Sequence, residues 1–357
     1  MKLSPQSRRL LSNLFWSMIF FVIGVNLYSM VRFWEADQYP PSEMWGDIIT
    51  ATIGGAIGGL LLGLFHNSVL RNRFRRKSFG FLIAVETLID LSIIILVFIP
   101  TTTLSGVLFT GRTWADSFAY NLAYMSTLPF ASLVIFLLIL AVLYNFLRQL
   151  SKKFGAGVML GLLTGKYHNP RAEDRIFMFF DLTDSTTHAE RLGHLNYSRL
   201  LQECFYDLNT LLLPYEAHIY KYVGDEAILT WKLEEGLDQA HCLDIFFAFH
   251  NRLQEKGHYY QDKYGFIPEF KAGGNVGQVT VAEVGEYRRE IEYHGDVLNT
   301  AARIQGQCKE YGRPILISEY LYQFFSRNDN YVFEKLGDVV LKGKQKRVGV
   351  FTAAQIS

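Results

Sequence analysis

Arg175-Ile-Phe-Met-Phe-Phe-Asp181 is an apolar run closed by a carboxylate, and it predicts a strand buried on both faces. Downstream, Ile219-Tyr-Lys-Tyr-Val-Gly-Asp-Glu-Ala-Ile-Leu229 predicts a hairpin with Asp225 in its turn. The interval between them leaves room for one helix, with Leu201, Cys204, Phe205, Leu208, Leu211 and Leu212 on a single stripe, so the crossover returns the hairpin beside the first strand. Asp181 and Asp225 then face one cleft, as carboxylates do when they hold divalent ions against phosphate groups. Taken singly, each has a plainer reading, as a helix cap and as turn chemistry.

Working outward, the pattern predicts a long helix over 234–263 and strands over 269–276, 278–286 and 290–293. A helix near 297–308, a strand at 314–318 and a final strand pair at 332–341 and 349–353 complete it. That is an α+β domain, a mostly antiparallel sheet with packed helices.

The chain has 357 residues, half of them hydrophobic, and a formal charge of +1, which gives no sign of a nucleic-acid partner or a disordered tail. Four apolar stretches, 14–33, 48–65, 79–100 and 128–147, each approach the roughly 20 residues that cross a bilayer as helix. Residues 1–150 therefore read as an α-helical membrane domain, 151–173 as a coupling linker and 174–357 as the soluble domain. Basic residues gather at Lys2, Arg8 and Arg9, at Arg71, Arg73, Arg75, Arg76 and Lys77, and at Arg148, Lys152 and Lys153. This asymmetry predicts a multi-pass protein of the plasma (inner) membrane with both termini and the soluble domain in the cytoplasm. Cys204, Cys242 and Cys308 are then expected as free thiols, without metal-ligand spacing.

Gly54, Gly55, Gly58, Gly59 and Gly63 repeat at a spacing that lets helices approach closely, expected here as packing within one bundle. Glu86 and Asp90 share a face of the third span, and are expected near its cytoplasmic end, hydrated or paired with the cluster at 71–76. His66 is expected at the interface.

A third soluble motif is Glu290-Ile-Glu-Tyr-His-Gly-Asp-Val-Leu-Asn-Thr-Ala-Ala-Arg-Ile304. Asn299 and Arg303 lie four apart on one helical face, where an amide can orient a sugar and a guanidinium can stabilise charge developing on a phosphate. Phe180-Asp-Leu-Thr-Asp-Ser-Thr186, Lys221-Tyr-Val-Gly-Asp225, Gly295-Asp-Val-Leu-Asn-Thr-Ala-Ala-Arg303 and Leu341-Lys-Gly-Lys344 together resemble the class III nucleotidyl cyclases in order and spacing, over residues 175–352.

The resemblance implies a cyclase catalytic domain of ferredoxin-like type. It implies Asp181 and Asp225 as metal ligands, and the backbone from Leu182 through Thr183 and Ser185 to Thr186 as a cradle for the β- and γ-phosphates. Lys221 falls where adenylate cyclases accept adenine, with Glu292 at the position of its base-reading partner. Asn299 corresponds to the ribose-orienting residue, Arg303 to the transition-state arginine, and Lys342 to the lysine on the terminal phosphates, with Lys344 a near alternative. Glu292 departs from the Asp of animal adenylate cyclases and the Thr or Ser of bacterial ones, yet a longer carboxylate still accepts from the adenine amino group.

By that resemblance the reaction is ATP to 3′,5′-cyclic AMP and pyrophosphate for intracellular signalling. It would use two divalent cations, Mg2+ with Mn2+ as substitute, at sites shared between the protomers of a homodimer. Guanylate cyclase is the alternative, against which Lys221 speaks, since those enzymes resemble one another in carrying Glu there. A diguanylate cyclase shares the letters of Val223-Gly-Asp-Glu226 but has no counterpart of the Asn299–Arg303 helix. A catalytically silent, nucleotide-binding membrane receptor remains the reading from another class.

Overall fold

The computed structural model describes residues 4–35, 41–68, 78–154, 161, 164–287, 289–340 and 347–356. Two compact units divide between Met159 and Leu160.

The first unit contains α1 (Pro5–Glu35), α2 (Pro41–Ser68), α3 (Phe79–Thr110), α4 (Trp114–Tyr124) and α5 (Leu128–Phe154). All but α4 are long and apolar enough to cross a membrane. The connection that contains α4 had no predicted helix. Thr113 starts this one by accepting from the Asp116 amide at 3.2 Å, and Asn121 anchors it through a 2.9 Å bond to Thr103. The glycine stripe packs within the bundle as expected. A Cβ at Gly59 would stand 2.7 Å from the Ser17 carbonyl and one at Gly55 2.9 Å from Val22 Cα, both on α1.

Glu86 and Asp90 depart from expectation, because both are buried inside this unit and take partners from α5. Asp90 accepts from Asn145 Nδ2 at 2.7 Å and is hydrogen-bonded to His66 Nε2 at 2.8 Å. Glu86 pairs with Arg148 at 2.5 Å and accepts from Gln149 at 2.9 Å. His66 is 6% exposed. Intramembrane carboxylates turn toward protein donors because lipid offers none. The cluster at 71–77 lies outside the described residues.

The second unit opens with β1 (Arg171–Leu182), α6 (Ser185–Leu212), β2 (His218–Val223) and β3 (Glu226–Lys232). It continues with α7 (Leu233–Leu237), α8 (His241–Glu255), α9 (Gly257–Tyr264), β4 (Phe270–Val284), β5 (Glu290–His294), α10 (Asp296–Gly306) and α11 (Cys308–Tyr311). β6 (Ile315–Ser318), α12 (Glu319–Phe325), β7 (Tyr331–Val340) and β8 (Arg347–Gln355) close it. The strands form one sheet in the order β2-β3-β1-β4-β6-β8-β7, with β5 paired to the far end of β4. Among the described strands only β4 and β6 run parallel, so the mostly antiparallel α+β architecture is as expected.

β1 is apolar throughout its middle because both of its faces are covered. Ile176, Met178 and Phe180 pack with Trp231, Leu200, Leu208, Phe246 and Phe249 on one side. Phe177 and Phe179 pack with Val279, Val281, Val297 and Ala301 on the other.

Three local expectations give way. The helix predicted over 234–263 is broken, because Gln239 and Ala240 take positive φ of 50° and 59°. The two strands predicted at 269–286 are one strand, since Gly277 is not a turn but a point of close approach, where a Cβ would meet Val297 at 2.9 Å. β1 starts at Arg171 and Tyr167 is buried against its Phe177 face, so the last part of the segment read as a linker packs into the second unit. Most of the rest of that segment, 155–160 and 162–163, lies outside the described residues.

Candidate functional site

Asp181 sits near the end of β1, opposite Glu226 of β3 and opposite Lys271 of β4 in strand register. Asp225 occupies the two-residue turn Gly224-Asp225 between β2 and β3, in which Gly224 takes a φ of 61° that suits glycine in the first turn position. The expected neighbourhood of the two aspartates therefore forms. Lys271 Nζ and Gln305 Nε2 both reach Oδ2 of Asp181 at 3.1 Å. Burial raises the Asp181 carboxyl above its ordinary range, with Asp225 adding to the rise and Lys271 opposing it. Glu226 is pushed up to about 7, by burial first and then by Asp181 and Asp225.

The two aspartates, with Glu226 adding to the crowding of charge, fit a divalent cation, which would relieve the repulsion. No group of three or more His, Cys, Asp or Glu ligands occurs among the described residues. Two carboxylates suit magnesium, which completes its shell with water and phosphate oxygens.

The segment expected to cradle phosphate runs from the end of β1 into the first turn of α6. The Leu182 side chain is buried in the core, and the Thr183 amide already donates to the Glu269 carbonyl at 2.8 Å. α6 begins immediately after Asp184, and the amides of its first turn, from Ser185 through Thr186, have no carbonyl within the helix. The Ser185 hydroxyl is hydrogen-bonded to Tyr197.

Lys221 on β2 meets Glu292 on β5. Lys221 Nζ donates to Oε1 of that carboxylate, and the Tyr220 hydroxyl donates to Oε2. Glu290 stands 3.8 Å from Lys221. The hydrogen bond to Glu292 raises Lys221 further above its ordinary range. Burial alone would raise Glu292, but the bonds from Lys221 and Tyr220 outweigh it and hold the carboxyl low. The pair is thus a fixed cation beside a fixed anion, a donor and an acceptor on one edge.

Asn299 and Arg303 fall on α10 as expected. Val297, Thr300, Ala301 and Ile304 bury the opposite face of the helix, leaving Asn299 exposed and Arg303 half-buried. Among the described residues, no hydrogen bond or ion pair joins either to Asp181 or Asp225. Lys342 and Lys344 lie outside the described residues. Cys204, Cys242 and Cys308 are free and buried, as expected.

Lys271, Gln305, Tyr220 and Glu226 were not among the expected site residues. Lys271 is identified by its register opposite Asp181 and Glu226 by its place beside Asp225, while Tyr220 and Gln305 need the folded structure.

Residues 168–353, more than half of the chain, match the adenylate and guanylate cyclase catalytic domain. Adenylate cyclase 2 of Rhizobium meliloti (strain 1021) is 34% identical over 214 residues, covering 59% of this chain and 59% of that protein. Adenylate cyclase 1 of the same organism is 27% identical over 180 residues, 49% of this chain and 26% of that protein. The chain therefore spans less than two thirds of the length of these relatives. A bacterial light-regulated adenylyl cyclase shares the fold, with a TM-score of 0.52 at 20% identity over 64% of this chain and 66% of that one. By its matched domain, the chain belongs to the family of adenylate and guanylate cyclase catalytic domains.

Proposed function

We propose that the protein is a membrane-bound adenylate cyclase that converts ATP to 3′,5′-cyclic AMP and pyrophosphate. The observation that carries this reading is the pairing of Lys221 with Glu292, a donor and an acceptor suited to N1 and the 6-amino group of adenine. In addition, the crowded carboxylates of Asp181 and Asp225 are suited to hold two Mg2+ ions, or Mn2+ in their place. Bound there, such ions would lower the pKa of the ribose 3′-hydroxyl and neutralise charge on the leaving pyrophosphate.

The chain's own residues then bind and orient. First-turn amides of α6 at Ser185 and Thr186 face the β- and γ-phosphates, with Lys342 on the terminal phosphates. Asn299 orients the ribose, and Arg303 stabilises charge at the α-phosphate as the 3′-oxygen attacks in line. Following the family resemblance, each site takes its aspartates from one protomer and Asn299, Arg303 and the base-reading pair from the other, so the enzyme works as a homodimer with two shared sites. Four helices of spanning length support a membrane anchor, and the basic flanks support cytoplasmic termini and catalytic domain at the plasma (inner) membrane.

The test is nucleotide cyclisation by the full-length protein in detergent with Mn2+, offering ATP and GTP separately, alongside Asp181→Ala. Cyclic AMP from ATP that disappears in the variant is the expected result. Cyclic GMP would reassign the base, and silence with both nucleotides would point to a nucleotide-binding receptor or to an enzyme held off by its membrane half.

A further inference from the structure

Tyr220 and Lys221 are consecutive on β2, yet both reach the same carboxylate. Neighbours on a regular strand point to opposite faces. Here Ile219 is opposite Leu229 while Lys221 is opposite Ile228, so the register slips and Tyr220 is the extra residue of a bulge. Bulges re-aim side chains and gather beside functional sites. The Tyr220 ring is held edge-on by Tyr293 at 5.0 Å and by Phe177 at 6.2 Å. Its hydroxyl is thereby delivered to Oε2 of Glu292 by packing, while Lys221 takes Oε1.

We propose that Tyr220 is a specificity-determining positioning residue that fixes the plane of the Glu292 carboxylate in a setting suited to adenine and unsuited to guanine. The inference rests on the reading of Lys221 and Glu292 as the pair that recognises the base. Adenine offers one exocyclic amino group to a carboxylate. Guanine offers two adjacent donors, N1–H and the 2-amino group, which a carboxylate accepts best with both oxygens side by side. With Tyr220 holding Oε2 and Lys221 holding Oε1, the carboxylate cannot turn to set both oxygens toward those two donors. Glu also has one more rotatable bond than Asp, so an unanchored Glu292 could turn and offer both oxygens. The bulge therefore supplies what the longer side chain lacks, a fixed carboxylate plane.

The experiment measures kcat and KM for ATP and for GTP with the full-length protein in detergent, comparing Tyr220→Phe with Glu292→Ala and Lys221→Met. Phe keeps the ring contacts with Tyr293 and Phe177, and thermal unfolding checks that the fold is retained. In Tyr220→Phe the ratio of kcat/KM for ATP over GTP is expected to fall about 10-fold, chiefly through KM, as loss of a hydrogen bond to a charged group implies. An unchanged ratio in Tyr220→Phe while Glu292→Ala shifts it would overturn the inference and leave the base-reading pair standing. A ratio that moves in none of the three variants would overturn both.

Discussion

Gln305 Nε2 donates to Oδ2 of Asp181 across 3.1 Å, which ties the helix carrying Asn299 and Arg303 to the strand end carrying Asp181. Lys271 holds the same oxygen from the neighbouring strand, at 3.1 Å. Two donors on Oδ2 fix the carboxylate plane and leave Oδ1 to a further ligand. A shift of α10 is therefore felt directly at Asp181.

Gln305→Leu keeps most of the side-chain volume and removes the donor. With Asp181 as a metal ligand, apparent Mn2+ affinity is expected to fall about 10-fold or more, as for other groups that orient a ligand from behind. Electron paramagnetic resonance of free Mn2+, titrated with purified protein, measures it, with Asp181→Ala as the reference for lost binding. An isotherm equal to that of the parent protein would reduce the bond to packing.

Gly273 permits this contact, since a Cβ there would lie 2.2 Å from the Gln305 backbone nitrogen. Gly273→Ala should push α10 off β4 and lower stability by about 1–3 kcal/mol. Cyclisation rate well below the melting temperature should drop as well, because Arg303 and Asp181 move apart from their settings. Thermal unfolding and initial rates on one preparation check both, and an unshifted melting curve would refute the crowding argument.

Glu203 on α6 accepts from Lys263 at 2.7 Å and from the hydroxyls of Tyr264 at 2.9 Å and Tyr259 at 3.0 Å, all on α9. Burial opposes its ionisation, but these donors prevail and hold the carboxyl below the ordinary 4.5. A depressed folded value means that the stabilisation is present above the unfolded value and is lost as pH falls through the folded one. Glu203→Gln should therefore cost about 1–2 kcal/mol near neutrality, a difference that closes below the unfolded value in acid. Urea unfolding across that range decides it, and a constant gap would contradict the linkage.

Asp90 is fully buried among His66 and Asn145. Asp90→Ala strands His66 and leaves Asn145 Nδ2 only its 3.3 Å bond to Thr87, and a loss of about 3–5 kcal/mol is expected, as for other broken buried pairs. Thermal unfolding of the full chain in detergent measures it, and no change in midpoint would mean that water satisfies the two partners.

The parts of the fold legible in the sequence are those encoded by local periodicity. The apolar run through Phe177 and Phe180 announced a strand covered on both faces, and the hairpin around Asp225 was readable from its turn residues. The pairing of Lys221 with Glu292 followed from the family resemblance. What escaped depends on partners distant in sequence or on single backbone torsions. Gly277 reads as a break until Val297 is seen against it, and the left-handed Gln239 and Ala240 leave no trace in the pattern of the helix they interrupt. Likewise, Glu86 and Asp90 looked hydrated because their partners on α5 lie far along the chain.

That distance has a consequence for synthesis, in a chain whose α1, α2, α3 and α5 are long and apolar enough to cross a bilayer. Asn145 follows Asp90 by 55 residues, and Gln149 follows Glu86 by 63. At ribosomal speeds of about 5–20 residues per second, α3 carries two carboxylates for several seconds before α5 exists. His66 alone is already made. Inserted into a bilayer, α3 is therefore expected to leave the insertion machinery together with α5, in a concerted event rather than a helix-by-helix one.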